Sequence, residues 1–284
     1  MMDYHIHPSY SADAKGTLEE FCGAAVDKKL REICFTTHLD SDPMRDDGFV
    51  MVRGERISVH DPGWFEDYEN HVRTLGEEYF PKGLNVRLGA ELDLYPGVVE
   101  DLPDAFHSTE FDLVIGSVHL IEHKAMSVKE EAYSIFKKYG LEEVGNIYYD
   151  CIKESLTTGL FDVLGHLDIY RRYGEEFLGS GVHSLWESHI DDLSRMMKSC
   201  GVGYEINTSS MWRSLSETMP ERDFVKALHD RGIQTVTIGS DAHQPSEVGK
   251  GISEALHLLQ ESGYSEVSVF SKRKSKSIPL DSFK

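Results

Sequence analysis

Short apolar runs alternate with longer amphipathic stretches along the chain. The runs at 31–36, 85–92, 111–117, 161–165, 203–206 and 234–238 are mostly apolar on both faces, as strands covered on both sides must be. The stretches between them carry helix signals. Thr17-Leu18-Glu19-Glu20 has the spacing of a capping box, in which the Thr17 hydroxyl and the Glu20 carboxylate each satisfy a free amide, and it predicts a helix running to about Leu30. Ser184-Leu185-Trp186-Glu187 repeats that spacing before a stretch ending near Gly201. Pro220 suits the first turn of a further helix and Gly232 the left-handed position after its end. Another helix is predicted over 64–79, and two over 128–158. Strand and helix alternating with short connections predict a parallel sheet, and about seven strands predict a closed or distorted (β/α)7 barrel.

Two segments break the alternation. Residues 40–63 hold Asp40, Asp42, Asp46, Asp47 and Asp61 among prolines and glycines, a composition that turns easily and packs poorly. A loop of this length inside a compact domain is expected to wall a site or lie on the surface. The tail from Ser271 carries Lys272, Arg273, Lys274 and Lys276, which reads as a solvated charged face.

Chemistry gathers where the apolar runs stop. His5 and His7 lie two apart, so on a strand both imidazoles point to one face and can reach one ion. Asp241 and His243 repeat the spacing near the other terminus, pairing a hard oxygen with a borderline nitrogen, which suits Zn²⁺, Mn²⁺ or Fe²⁺. Glu91 ends an apolar run, where a carboxylate is costly unless it meets a cation. With His38, His119 and His166 the set exceeds the three protein ligands a single catalytic zinc takes, so two to three divalent ions are expected at one rim of the barrel.

Composition narrows the partners. The 284 residues fit one domain spanning 1–284, and 40% hydrophobic content can fill its core. A net charge of −20 repels phosphate backbones and anionic membranes, which disfavours nucleic acid and membrane partners and leaves a small-molecule substrate. No apolar run approaches the ~18 residues of a membrane span. The four cysteines have no C-x-x-C spacing and read as free buried thiols. With no secretory signal pattern at the N-terminus, a cytoplasmic location is expected. Composition does not address the oligomeric state.

The order D-x-H-x-H at Asp3–His7, then T-x-H at His38, G-x-E at Glu91, G-S-V-H at His119, G-H-x-D at His166 and G-S-D-A-H at His243 resembles the PHP (polymerase and histidinol phosphatase) superfamily. The stretches around Asp13, Glu91–Gly97, His166–Gly174 and Glu205–Ser209 resemble its histidinol-phosphate phosphatase branch. The resemblance implies a distorted barrel of the PHP type and three ion positions: His5, His7, Glu91 and Asp241; Glu91, His119 and His166; Asp13, His38 and His243. Other members carry a histidine where Asp13 stands, which makes the third position here richer in oxygen.

A pair of ions can lower the pKa of a shared water and neutralise a phosphate for in-line attack by hydroxide, and a guanidinium complements the equatorial oxygens. Arg172 and Arg213 are the candidates for that guanidinium. Asp168, two residues past His166, is a candidate to bind a substrate ammonium, protonate the leaving alkoxide or hold a ligand imidazole. Asp42 is a further candidate for a cationic substrate end, Glu205 for that role or for holding a ligand imidazole, and His123 for the pocket wall. The expected activity is hydrolysis of L-histidinol phosphate to L-histidinol and phosphate, a step of histidine biosynthesis. A PHP phosphoesterase with another substrate and a non-catalytic metal-binding module are the alternatives.

Overall fold

The computed structural model describes residues 1–283. Seven parallel strands form one sheet: β1 (Met2–Ile6), β2 (Glu32–Leu39), β3 (Asn85–Asp93), β4 (Leu113–Ser117), β5 (Val163–Leu164), β6 (Gly203–Asn207) and β7 (Val236–Gly239), hydrogen-bonded in that order. The sheet curls until β1 and β7 meet beyond their ends. There His7 N donates to Ala242 O at 2.8 Å and Ala242 N to His5 O at 3.3 Å, a near-closure that fits the (β/α)7 expectation. All seven strands run the same way, so their C-terminal ends share one rim, the face on which barrels of this kind build sites from loops.

The longer helices pack outside the sheet: α1 (Leu18–Asp27), α2 (Gly63–Tyr79), α3 (Lys129–Lys138), α4 (Leu141–Leu156), α5 (Arg171–Leu178), α6 (Ile190–Cys200), α7 (Arg222–Asp230) and α8 (Ile252–Glu261). The capping box at Thr17 and Glu20 is present, and α1 turns Leu18, Phe21, Cys22 and Ala25 into the core, the i, i+3, i+4, i+7 stripe of an amphipathic helix.

Four local expectations are corrected. Ser184 caps nothing: α6 begins at Ile190 after His189, and 184–187 lies in a tight, partly 3-10 connection. Trp186 decides this, stacking on Phe224 at 4.8 Å and donating its indole N–H to Glu221 at 2.9 Å, contacts that outweigh a local cap. Pro220 precedes the cap of α7, which is Glu221, while Gly232 does follow that helix with φ +80°. Residues 40–63 contain an antiparallel hairpin, Phe49–Val52 against Glu55–Ser58, anchored by Met51 N donating to Tyr10 O. Cys22, Cys34 and Cys151 are buried free thiols, but Cys200 is exposed.

A last hairpin, Glu266–Ser271 with Lys274–Pro279, covers the opposite rim. Its Phe270 N donates to the Tyr4 hydroxyl, and Arg273 pairs with Asp162 just before β5, so this end of the charged tail is tied to the barrel. Among the described residues no helix is long and apolar enough to cross a membrane.

Candidate metal centre

Register puts the chemistry at one rim. His38 on β2 pairs directly with Glu91 on β3, and Glu91 in turn with Ile115 on β4, so the carboxylate enters the barrel mouth between the two flanking strands. Glu91 is the hub. Its Oε1 lies 3.0 Å from His166 Nε2, 3.4 Å from His5 Nε2 and 3.5 Å from His119 Nε2, and its Oε2 lies 3.1 Å from His38 Nδ1 and 3.4 Å from His7 Nε2.

Three groups of donor atoms converge around that hub. His5, His7 and Asp241 form one, Glu91, His119 and His166 a second, and His7, His38 and His243 a third, with the donor atoms of each group within 4.8 Å of one another. The second holds the residues of the set implied by the resemblance, and the first holds those of its set other than Glu91. In the third, His7 takes the close position expected of Asp13, whose exposed carboxylate stands 3.1 Å from His243 and 3.8 Å from His38.

The donor chemistry fits cations. His5 Nδ1 faces Glu205 at 2.6 Å and His119 Nδ1 faces Asp93 at 3.4 Å, which commits the ring protons there and turns bare Nε2 lone pairs inward. Inside, His5 Nε2 meets His7 Nε2 at 2.9 Å and His119 Nε2 meets His166 Nε2 at 3.1 Å. Facing lone pairs repel unless a proton or a metal cation lies between them, and nitrogen and oxygen donors without thiolate suit Zn²⁺, Mn²⁺ or Fe²⁺. Protonation agrees. Burial opposes charge on Glu91, but the imidazoles of His5 and His119 outweigh it and hold the carboxyl well below its usual range. Burial, reinforced by His38 and His243, drives His7 well below the usual imidazole value, into the neutral form that ligates.

Close backbone approach makes the site possible at two glycines. A Cβ on Gly239 would sit 2.2 Å from His5 Cβ and 2.3 Å from Glu205 Oε1, and one on Gly165 would sit 2.4 Å from Ser117 Oγ. The residues after these glycines bend sharply. His166 has φ +24° and Asp241 φ +53°, left-handed values that side chains adopt at a cost where a site demands them. Asp241 is held in that turn by Ser209 Oγ, which donates to its Oδ2 at 3.0 Å, while Asp3 accepts from Ser240 N and Gly249 N on either side of it.

Arg172 and Arg213 line one cavity of about 390 Å³ together with Glu91, His166, Asp241 and His243. Arg213 is braced by Asp241 O at 3.1 Å and Glu247 at 3.0 Å. Three other candidates are placed differently. Asp168 is fully buried, pairing with Arg171 at 2.7 Å and accepting from Glu221 N, so its charge is spent inside the loop rather than at the ions. Glu205 is also fully buried. It holds His5 and accepts from His166 N, which makes it a brace for ligands and not a substrate contact. Asp42 turns away to His123 Nδ1 at 2.6 Å and Met44 N, and neither Asp42 nor His123 lines the cavity.

Several contributors escaped sequence reasoning. Asp93 lies two residues past Glu91, so the period of two that singled out His5 and His7 applied to it as well. Ser117, which donates to Glu91 at 2.7 Å, and Ser209 left no such signal.

Known proteins resemble this chain in sequence and fold. A probable histidinol-phosphatase of Deinococcus radiodurans is 29% identical over 266 residues, covering 93% of this chain and 94% of that protein. A histidinol-phosphatase of Lactococcus lactis is 25% identical over 285 residues, covering 96% and 95%. The crystal structure of histidinol phosphate phosphatase from Lactococcus lactis, complexed with zinc, L-histidinol and phosphate, superposes with a TM-score of 0.74 at 21% identity over 97% of this chain and 98% of that one, a likeness of fold. The PHP domain model matches residues 3–209, and the chain therefore belongs to the PHP family.

Proposed function

We propose that this protein is a metal-dependent phosphomonoesterase that hydrolyses L-histidinol phosphate to L-histidinol and phosphate, the histidine-biosynthesis step carried out in the cytoplasm. The observation that carries the reading is the gathering of three donor groups about Glu91, at a cavity that Glu91 lines together with two arginines. The relatives named histidinol-phosphatase, matched over nearly their whole length, support the substrate.

In this reading His5, His7, Glu91 and Asp241 hold one ion, Glu91, His119 and His166 a second, and His38 and His243, with Asp13 at the rim, a third. Bound divalent ions supply a water acidic enough to ionise near neutral pH and charge to neutralise the phosphate oxygens. The chain's residues do the rest. Glu91 offers an oxygen to each side of the hub and keeps its negative charge. Glu205 and Asp93 fix the ring orientation of His5 and His119, so that the ligating nitrogens point inward. Arg172 and Arg213 approach the phosphate from the cavity wall and complement charge on its equatorial oxygens. Asp168 serves indirectly by pairing with Arg171, the residue before Arg172. Residues 1–284 act as one unit on a small molecule, since a net charge of −20 disfavours nucleic acid.

The test is phosphate release from a panel of L-histidinol phosphate, phosphotyrosine and a nucleoside monophosphate, before and after chelation. Preference for L-histidinol phosphate that vanishes on chelation and returns with metal is expected. A metal-loaded protein that ignores this ester while cleaving another would overturn the substrate assignment.

A further inference from the structure

A second cavity of about 240 Å³ adjoins the first, sharing Asp13, His38 and His119 with it but containing neither Arg172 nor Arg213. Where the first wall offers two cations to a phosphate, this one offers carboxylates: Asp40, Asp47 and Asp93, beside Asp13 and the Phe49 ring. Its one guanidinium is already engaged. Arg45 pairs with Asp47 and with Glu131 at 2.9 Å, and also donates to His123 O.

Most of the carboxylates are engaged too. Asp93 accepts from His119 N at 3.2 Å and faces that ring, and Asp13 stands against His243. Asp47 holds Arg45 through Oδ2. Asp40 differs. Among the described residues its side chain makes no hydrogen bond; His38, His119, Asp93 and Asp47 act on it electrostatically, and Asp13 and Arg45 line the same cavity. It lies immediately beyond β2, two residues from His38, on the strand face that carries that imidazole. A carboxylate lining a cavity among other acids, with no partner of its own, is suited to a cation arriving from solution.

We propose that Asp40 receives the ammonium group of the substrate and that this cavity is the subsite for the leaving alcohol, which selects esters of cationic amino alcohols. The inference rests on the reading that the phosphate occupies the arginine-lined cavity. In an ester of a 2-amino alcohol the ammonium is two carbons from the ester oxygen, so phosphate and ammonium would fall in adjoining cavities, and these two meet at Asp13, His38 and His119. The three acids singled out from the sequence for a cationic end, Asp42, Asp168 and Glu205, pair with His123, Arg171 and His5 and line neither this cavity nor the first, whereas Asp40 lines this one.

The experiment is a cycle of enzyme and substrate changes on the metal-loaded protein, comparing wild type and Asp40→Asn on L-histidinol phosphate and on its N-acetyl derivative. Acetylation removes the ammonium without touching the phosphate. Either change alone is expected to lower kcat/KM about ten- to hundredfold, the worth of a charge-assisted hydrogen bond, mainly through KM. Both together should cost little more than one. Additive losses would overturn the proposal, as would an equal loss on phenyl phosphate, which carries no cation and reports on the metal centre alone. Asp40→Ser, smaller and uncharged, provides the same cycle if the asparagine variant misfolds. The pair 2-aminoethyl phosphate and ethyl phosphate separates the two claims. A wild type that ignores L-histidinol phosphate but prefers the amino ester through Asp40 loses the substrate assignment and keeps the subsite. A wild type that cleaves L-histidinol phosphate regardless of Asp40 loses the subsite and keeps the assignment.

Discussion

Replacing Glu205 by Gln removes one charge from a residue with no solvent access and changes little in shape. Its Oε1 takes the His5 Nδ1 proton at 2.6 Å, and its Oε2 accepts from His166 N and Asn207 Nδ2, each at 3.3 Å. A glutamine can keep its oxygen toward only one of these faces. With the oxygen on His5, the new NH₂ confronts two donors. Asn207 cannot simply flip to relieve this, because its Oδ1 already accepts from Ser209 N and Oγ. A buried donor left unpaired costs about 1–3 kcal/mol, and the surviving bond to His5 becomes neutral, roughly half as strong as before. Loss of a carboxylate behind a ligating imidazole lowers metal affinity about 10–100-fold, or about 1.4–2.7 kcal/mol. The assay is a metal titration against a competing chelator, with urea unfolding of the metal-free protein alongside. Weaker binding by that factor, a lower unfolding midpoint, and kcat largely recovered at saturating metal are expected. Affinity within twofold of wild type in a folded variant would refute the claim that Glu205 orients His5.

Glu91→Ala removes the hub itself and should cost more activity than the ~10–100-fold typical of a supporting partner, with fewer ions bound per chain by elemental analysis. Gly239→Ala forces a Cβ to within 2.2 Å of His5 Cβ, an overlap expected to destabilise by about 1–3 kcal/mol or more, read as a lower urea midpoint. Chelation should lower Tm and readdition restore it, each ion contributing about 2.7 kcal/mol when present at a hundred times its Kd. His183 has a raised pKa, chiefly through its bond to Glu221, so its contribution to stability is complete below about pH 6.5 and fades as pH rises through the raised value. The stability gap between wild type and His183→Gln should therefore be larger at pH 5.5 than at pH 8.5, by urea unfolding at both.

The sequence by itself determined the frame and the inventory of candidate donor residues. Strand period and strand ends are local properties, so His5 with His7, and a carboxylate closing an apolar run at Glu91, were legible without knowing what lies opposite them. The cap at Thr17 and Glu20 was legible because its partners are three residues apart. What tertiary structure decided was the partner of each buried charge. Asp168 lies two residues past His166, yet the bend at His166 and the turn that follows deliver its carboxylate to Arg171 instead of the ions. Glu205 meets His5 across 200 residues of chain, a contact set by the β1–β7 closure and the absence of a side chain at Gly239. Ser184 had the spacing of a cap, and a tryptophan two residues later found a better place against Phe224. A burial requirement is written into residue type and position, whereas the group that satisfies it is chosen by which loops the closed barrel brings to the same rim.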